Sequence, residues 1–175
     1  MLSAEQHSPK TGIVFRNPTT DDGKHFWEIA KASKTLDVNS MYHYLILCRH
    51  FGRTSIAAEK DGRIVGFVTA YIPPENPNTV FVWQVAVDEA ERGQAIGVNM
   101  LVNVCRNAKA YAVDHLEATV TPSNEPSKRL FAAAARRLNA PFEFEKEIFS
   151  AADFGPAVHE PELLFRIGPF DDHIR

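Results

Sequence analysis

Apolar residues recur along the chain with two periods, and each switch of period marks a new element. "GIVFRNP" opens as a short strand, and "TTDDGKHFWEIAKAS" follows as a helix entered through Thr and Asp caps, with Phe26, Ile29 and Ala30 on one face. "DVNSMYHYLILCRHF" is a second helix capped by Asn39 or Ser40, with Met41, Leu45 and Cys48, and Leu45, Ile46 and Arg49, at helical spacing. "TSIAAEK" and "RIVGFVTAYI" flank Asp61-Gly62, a strong hairpin signal, and Pro73, Pro74 and Pro77 stop the second of these strands. "TVFVWQVAV" is apolar on both faces and predicts a central strand. Ile96, Met100, Leu101, Val104, Cys105 and Ala108 recur at helical spacing, and "HLEATVT" returns to a strand. A last helix has an Asn124 cap, Pro126 in its first turn, Leu130, Ala134 and Leu138 on one face, and Asn139 at its end before Pro141. "PFEFEKEIF" and "ELLFRIG" close the chain as strands around a Gly/Pro/Asp/His-rich loop. The order β-α-α-β-β-β-α-β-α-β-β predicts an α/β protein with a mixed sheet and helices on both faces.

Composition narrows the class. A chain of 175 residues, 45% hydrophobic, supports one domain with a proper core, which we place at 13–170 between tails at 1–12 and 171–175. A formal net charge of -3 gives no basic field for nucleic acid phosphates, so no nucleic acid partner is expected. The two cysteines, Cys48 and Cys105, lack zinc-site spacing and disulfide density; a reduced, cytoplasmic protein without a metal fits them. No apolar stretch reaches the roughly 18 residues of a membrane span, and "MLSAEQHSPKTG" lacks the order of a signal peptide.

The chemistry starts at "VAVDEAERGQAIGVNM", where a strand meets a helix through a turn bearing Arg92, Gly93 and Gly97. About four amides at a helix start have no intrahelical acceptor, and an anion there gains roughly 0.3–1 kcal/mol from the helix dipole. The turn ends without the Gly-Lys-Ser/Thr of a P-loop and lacks the three glycines of a dinucleotide fingerprint, so by itself it reads equally as a connector or a diphosphate cradle.

The element order and two motifs resemble the GNAT family of acetyl-coenzyme A dependent N-acetyltransferases, which implies a central, mostly antiparallel sheet. That family's Arg/Gln-x-x-Gly-x-Gly/Ala motif resembles Arg92, Gly93, Gln94, Ala95, Ile96 and Gly97, with Ala95 where glycine is usual. A methyl there is tolerated if φ stays negative. A second motif resembles Asn124, Ser127, Leu130 and Phe131, with Phe131 in place of the tyrosine that protonates the leaving thiolate. The resemblance implies an acetyl-CoA site built from Val85, Ala86, Val87, the Arg92–Gly97 turn, Asn124, Ser127 and Phe131.

"TLDVNSMYHYLILC", "FVWQVAVD", "VTPSNEPSKRLF" and "HEPELLFRIGPF" resemble a branch of that family that acetylates the diamino acid L-2,4-diaminobutyrate on its 4-amine, in the making of the osmolyte ectoine. Such a substrate needs acceptors and aromatic faces for its ammonium groups. Asp37 fits an ammonium partner or a helix cap; Tyr42 and Trp83 fit the pocket or the core; His159, Glu160 and Glu162 fit a binding cluster or a solvated turn. The resemblance favours the pocket in each case. It also implies a homodimer, which the apolar "ELLFRIG" suits.

The amine must lose a proton before it attacks a thioester, and neither cysteine has a partner base for an acyl-enzyme. Direct attack is expected, with His159, Glu162, Asp37 and Tyr42 as candidates to take the proton and a backbone N–H near Val85 or Val87 for the oxyanion. Two other readings share the coenzyme motif: acetyl transfer to another small diamine or polyamine, and an acetyl-CoA binding module without catalysis.

Overall fold

The computed structural model of the chain describes residues 12–34 and 36–171, so the expected tails at 1–12 and 171–175 lie outside it save for Gly12 and Asp171. Seven strands form one sheet: β1 (Ile13–Arg16), β2 (Ile56–Lys60), β3 (Arg63–Tyr71), β4 (Thr79–Val87), β5 (His115–Val120), β6 (Phe142–Phe149) and β7 (Glu162–Ile167). The helices are α1 (Gly23–Ser33), α2 (Met41–Phe51), α3 (Ile96–Ala108) and α4 (Glu125–Leu138). The spatial order is β1-β2-β3-β4-β5-β7-β6, and only the β4–β5 pair is parallel. The mixed, mostly antiparallel sheet and the central place of β4 match the pattern of apolar positions.

Side chains leave the sheet alternately, and two cores result. Val65, Val68, Val80, Val82, Leu116, Ala118 and Phe165 meet Met100, Leu101, Val104 and Phe131 from α3 and α4. On the opposite face Ala57, Phe67 and Ala86 meet Phe26 and Ala30 of α1 and Tyr44 and Cys48 of α2. Burying one such large apolar side chain stabilises the fold by roughly 1.5–3 kcal/mol, so the α3/α4 cluster is the larger anchor. Helices α1 and α2 rest on β3 and β4 and leave the same face of β5, β7 and β6 uncovered.

Two local features differ from the pattern-based reading. A 3-10 turn, Thr20–Asp22, precedes α1; the Asp22 carboxylate accepts from the Thr19 N–H at 2.7 Å and from the Arg16 guanidinium at 2.8 and 2.9 Å, tying β1 to the helix start. Helix α2 is capped by Ser40, whose hydroxyl accepts from the His43 N–H at 3.3 Å, but its inward face is Tyr44, Leu47 and Cys48 rather than Met41 and Leu45. The Tyr44 ring sets that phase by standing edge-on to Phe67, 6.1 Å between centroids, and Met41 turns outward.

Strand β4 carries the feature that matters most for function. Its register against β3 slips between Thr69 and Ala70, which places one extra residue of β4 at Trp83. Val82 and Val85 both enter the α3/α4 core, so the two residues between them, Trp83 and Gln84, leave on the other face together. Pairing with β5 covers only Thr79–Phe81, after which the two strands separate.

Candidate active site

The separation of β4 from β5 opens a cleft with two connected cavities. One, of about 660 Å³, is lined by Val85, Ala86, Val87, Arg92, Gly93, Ala95, Ile96, Gly97, Asn124 and Ser127, among others. The second, of about 560 Å³, is lined by Asp37, Asn39, Trp83, Gln84, Thr119, Phe131, His159 and Glu162, among others. Leu36, Val85, Asn124 and Ser127 belong to both, so the cavities meet beside the middle of β4.

The first cavity has the features of an anion cradle. The backbone N–H groups of Ala95, Ile96, Gly97 and Val98 make no hydrogen bond within the described residues; the first amide to find an acceptor is that of Asn99, bonded to Ala95 O at 3.0 Å. Four donors at the dipole-positive end of α3 therefore face the cavity, next to Arg92. Such a row of donors fits the diphosphate of acetyl-CoA.

Two details of the turn depart from the sequence reading, at Ala95 and at Gln94, and its two glycines have different duties. Ala95 does not keep a negative φ: at 56° it takes the left-handed conformation of the helix N-cap, which is why glycine is the usual residue there. Gly93 needs its freedom for φ 81°, whereas a Cβ at Gly97 would lie 3.0 Å from Leu130 Cδ1, so that glycine admits α4 rather than a ligand. Gln94 does not line the cavity; its Nε2 donates to Glu91 Oε2 at 2.8 Å. Glu91 also accepts from Lys60 Nζ at 2.7 Å and from the Arg63 guanidinium at 3.4 Å, which bolts the turn to the β2–β3 hairpin and offsets a carboxylate charge that would repel an anion. Nothing in the spacing of Lys60, Arg63 and Glu91 signals this contact.

On β4, the Gln84 N–H donates to Thr69 Oγ1 at 3.2 Å and the Asp88 N–H to Val65 O at 2.8 Å, both on β3. Alternation along the strand then points the Val85 and Val87 N–H groups at the opening left by β5. That is where the reading from sequence put an oxyanion donor.

The second cavity gathers Asp37, Trp83 and the His159–Glu162 pair from three separate parts of the chain. Trp83 is 50% exposed, its ring 5.2 Å from that of His43. Burial beside the indole pushes the His43 imidazole below its ordinary pKa. His159 stacks on Phe154 at 3.8 Å, its Nδ1 is 2.5 Å from Glu160 O, and its Nε2 is 3.9 Å from Glu162 Oε1. Burial lifts the Glu162 carboxyl above the usual range; the Thr119 hydroxyl and His159 pull it back, and the charges of Asp37 and Glu160 push it up again. The net effect is upward, the direction that makes a carboxylate a better proton acceptor.

Other residues expected in the pocket are elsewhere. Tyr42 is 70% exposed in the first turn of α2 and lines neither cavity, a consequence of the helix phase set by Tyr44. Glu160 is exposed, and its carboxylate accepts from the Ser123 N–H at 3.2 Å and from the Ser123 hydroxyl, so it braces the loop ahead of α4. Asp37 is not a helix cap, since Ser40 fills that role. Phe131 lines the second cavity rather than the first and is packed against Phe165, 5.5 Å between ring centroids, so it supplies an apolar wall without an acid. Both cysteines are buried: Cys48 is pushed up to about 12 by burial, and Cys105 is pushed up as well, so neither is a nucleophile. Among the described residues no group of three or more His, Cys, Asp or Glu side chains is placed to hold a metal ion.

A sheet whose parallel pair splays beside a helix start with free amides defines an acyl-CoA binding fold, and the acetyltransferase (GNAT) family model matches residues 21–135. The chain belongs to the GNAT family of acetyltransferases. Within it, the chain is 46% identical to the L-2,4-diaminobutyric acid acetyltransferase of Streptomyces avermitilis, over 96% of this chain and 94% of that one. It is 45% identical to the enzyme of the same name from Marinococcus halophilus, over 90% and 91% of the two chains. Among solved structures it is similar to the diaminobutyrate acetyltransferase EctA of Paenibacillus lautus, which holds L-2,4-diaminobutyric acid and coenzyme A: 40% identity, TM-score 0.85, covering 94% of this chain and 99% of that one.

Proposed function

We propose that the protein transfers the acetyl group of acetyl-CoA to the 4-amine of L-2,4-diaminobutyrate, in the making of ectoine, and that residues 13–170 act as one acetyltransferase domain. The observation that carries the proposal is the meeting of an anion cradle and a carboxylate-lined pocket at Val85, Asn124 and Ser127, in a chain 46% identical to an enzyme of that name. Acetyl-CoA supplies an activated thioester, held through its diphosphate by the Ala95–Val98 amides and Arg92. Asp37 holds the 2-ammonium, and the Trp83 ring flanks the cationic substrate. Glu162 accepts the proton of the 4-ammonium, with His159 beside it. The Val85 N–H donates to the thioester carbonyl oxygen as charge develops there. A thiolate of pKa near 8.5 leaves with modest help, so a phenylalanine at position 131 is compatible with turnover.

We place this reaction in the cytoplasm, which suits two buried free cysteines. We also propose a homodimer. Phe81, Trp83, Ile148, Phe149 and Leu164 line the uncovered sheet face together with Glu117, Glu143, Lys146 and Arg166, a mixture of apolar and oppositely charged groups suited to a second copy of itself.

An acetyl-transfer assay across diaminobutyrate, ornithine, lysine and spermidine, with the acetyl position read by NMR, tests the function. The expected result is highest kcat/KM with diaminobutyrate and 4-acetylation only. Equal or better turnover of spermidine, or binding of acetyl-CoA without turnover of any amine, would overturn it.

A further inference from the structure

We infer that Gln84 and Tyr44 are positioning residues for substrate: they hold the Asp37 loop over the pocket, and Asp37 binds the ammonium only because they do. The inference rests on the function proposed above. Asp37 is an exposed residue in an irregular segment, residues 36–40, between α1 and α2, outside the backbone ladder of either helix. The fixing comes from the sheet. Gln84 is 6% exposed, and its Nε2 donates to Asp37 O at 2.9 Å while its Oε1 accepts from the Tyr44 hydroxyl at 3.0 Å. Tyr44 is fully buried, so its hydroxyl and the Gln84 amide meet away from water. One side-chain amide thus joins the central strand, the second helix and the loop, with both of its polar ends satisfied.

The bulge explains why a glutamine is there. Without the extra residue at Trp83, strict alternation would point position 84 into the α3/α4 core, where an amide would have no partner. With it, Gln84 lies on the α2 face immediately before Val85, whose N–H faces the cleft. The peptide that carries the oxyanion donor and the side chain that anchors the ammonium site are therefore consecutive in the chain. A shift of the loop by about 1 Å is enough to cost on the order of 100-fold in a reaction that depends on alignment.

The test uses the full-length enzyme with Gln84→Met, which keeps the length of the side chain and removes both hydrogen bonds, and Tyr44→Phe, which removes only the hydroxyl. Each is measured alone and combined with Asp37→Ala. We expect KM for diaminobutyrate to rise about 10- to 100-fold in Gln84→Met and less in Tyr44→Phe. KM for acetyl-CoA should stay within about 2-fold, because the cradle is elsewhere. In the Asp37→Ala background either change should add little, since its effect passes through Asp37. A folded Gln84→Met enzyme with the parent's KM for diaminobutyrate, or effects that multiply with Asp37→Ala, would overturn the inference while leaving the function intact. If Gln84→Met does not fold, the same readouts on Tyr44→Phe decide. A parent inactive on diaminobutyrate overturns both.

Discussion

At the scale of single residues, the role proposed for Glu162 sets catalysis against stability. Its carboxyl is raised above the ordinary 4.5 chiefly by burial, so the folded protein holds that proton more tightly than the unfolded chain does. Stability from this group is present at low pH and is lost as pH rises through the raised value, because the ionised form is the poorer fit to the fold. In the proposed mechanism activity runs the other way, since a base must be ionised. Glu162→Gln should therefore melt at the same or a higher temperature than the parent while kcat falls about 100- to 10,000-fold. In the parent, kcat/KM should fall on acidification from a pH above that of an ordinary carboxylate. Thermal melts and a pH–rate profile check both, and a variant that loses stability but keeps activity would remove Glu162 from the mechanism.

At the scale of elements, the join between β4 and α3 is shaped by two small residues with different duties. Ala95 sits at φ 56°, a conformation that costs a residue with a Cβ roughly 1–2 kcal/mol, whereas glycine there gives back about 0.4–1 kcal/mol through the freer unfolded chain. Ala95→Gly should leave stability level or raise it by about 1 kcal/mol, with acetyl-CoA affinity retained. Gly97→Val instead drives a branched side chain against Leu130, already 3.0 Å from the first added carbon, and should cost about 1–3 kcal/mol as α4 is pushed off α3. Its acetyl-CoA affinity should drop with it, because Asn124 and Ser127 at the start of α4 line the same cavity. Urea unfolding and calorimetry separate the two variants.

At the scale of the whole molecule, α1 and α2 cover only half of one sheet face, and the other half presents aromatic and charged side chains of both signs. Static light scattering at micromolar concentration should give twice the 19.6 kDa chain mass. Ile148→Lys together with Leu164→Lys should reduce it toward one chain, since the paired copies would each bring added charge to an apolar contact. A parent of monomer mass would remove the dimer.

The amino-acid sequence by itself determined the order of elements, the Asp61-Gly62 hairpin and the Asn124 cap, and narrowed the α2 cap to Asn39 or Ser40 and the turn after β4 to a connector or a cradle, because each follows from residues within a few positions of one another. Its family-like segments marked Asp37, Trp83, His159 and Glu162, but marked Tyr42 and Glu160 equally, and those two lie outside the cavity. Tertiary structure alone decided the rest. Tyr42 and Tyr44 are near neighbours on one helix, and only the seat of Tyr44 on Phe67 chooses which faces inward. The bulge at Trp83 and the insertion of β7 between β5 and β6 depend on strands distant in sequence. Glu160 near Ser123, Glu91 beneath Lys60, and Gln84 under Asp37 are pairs separated by 31 to 47 positions, which no local period can bring together. The physical reason is range: caps, turns and amphipathic periods are set by neighbours along the chain, whereas a pocket is set by which faces of the sheet the packed helices leave open.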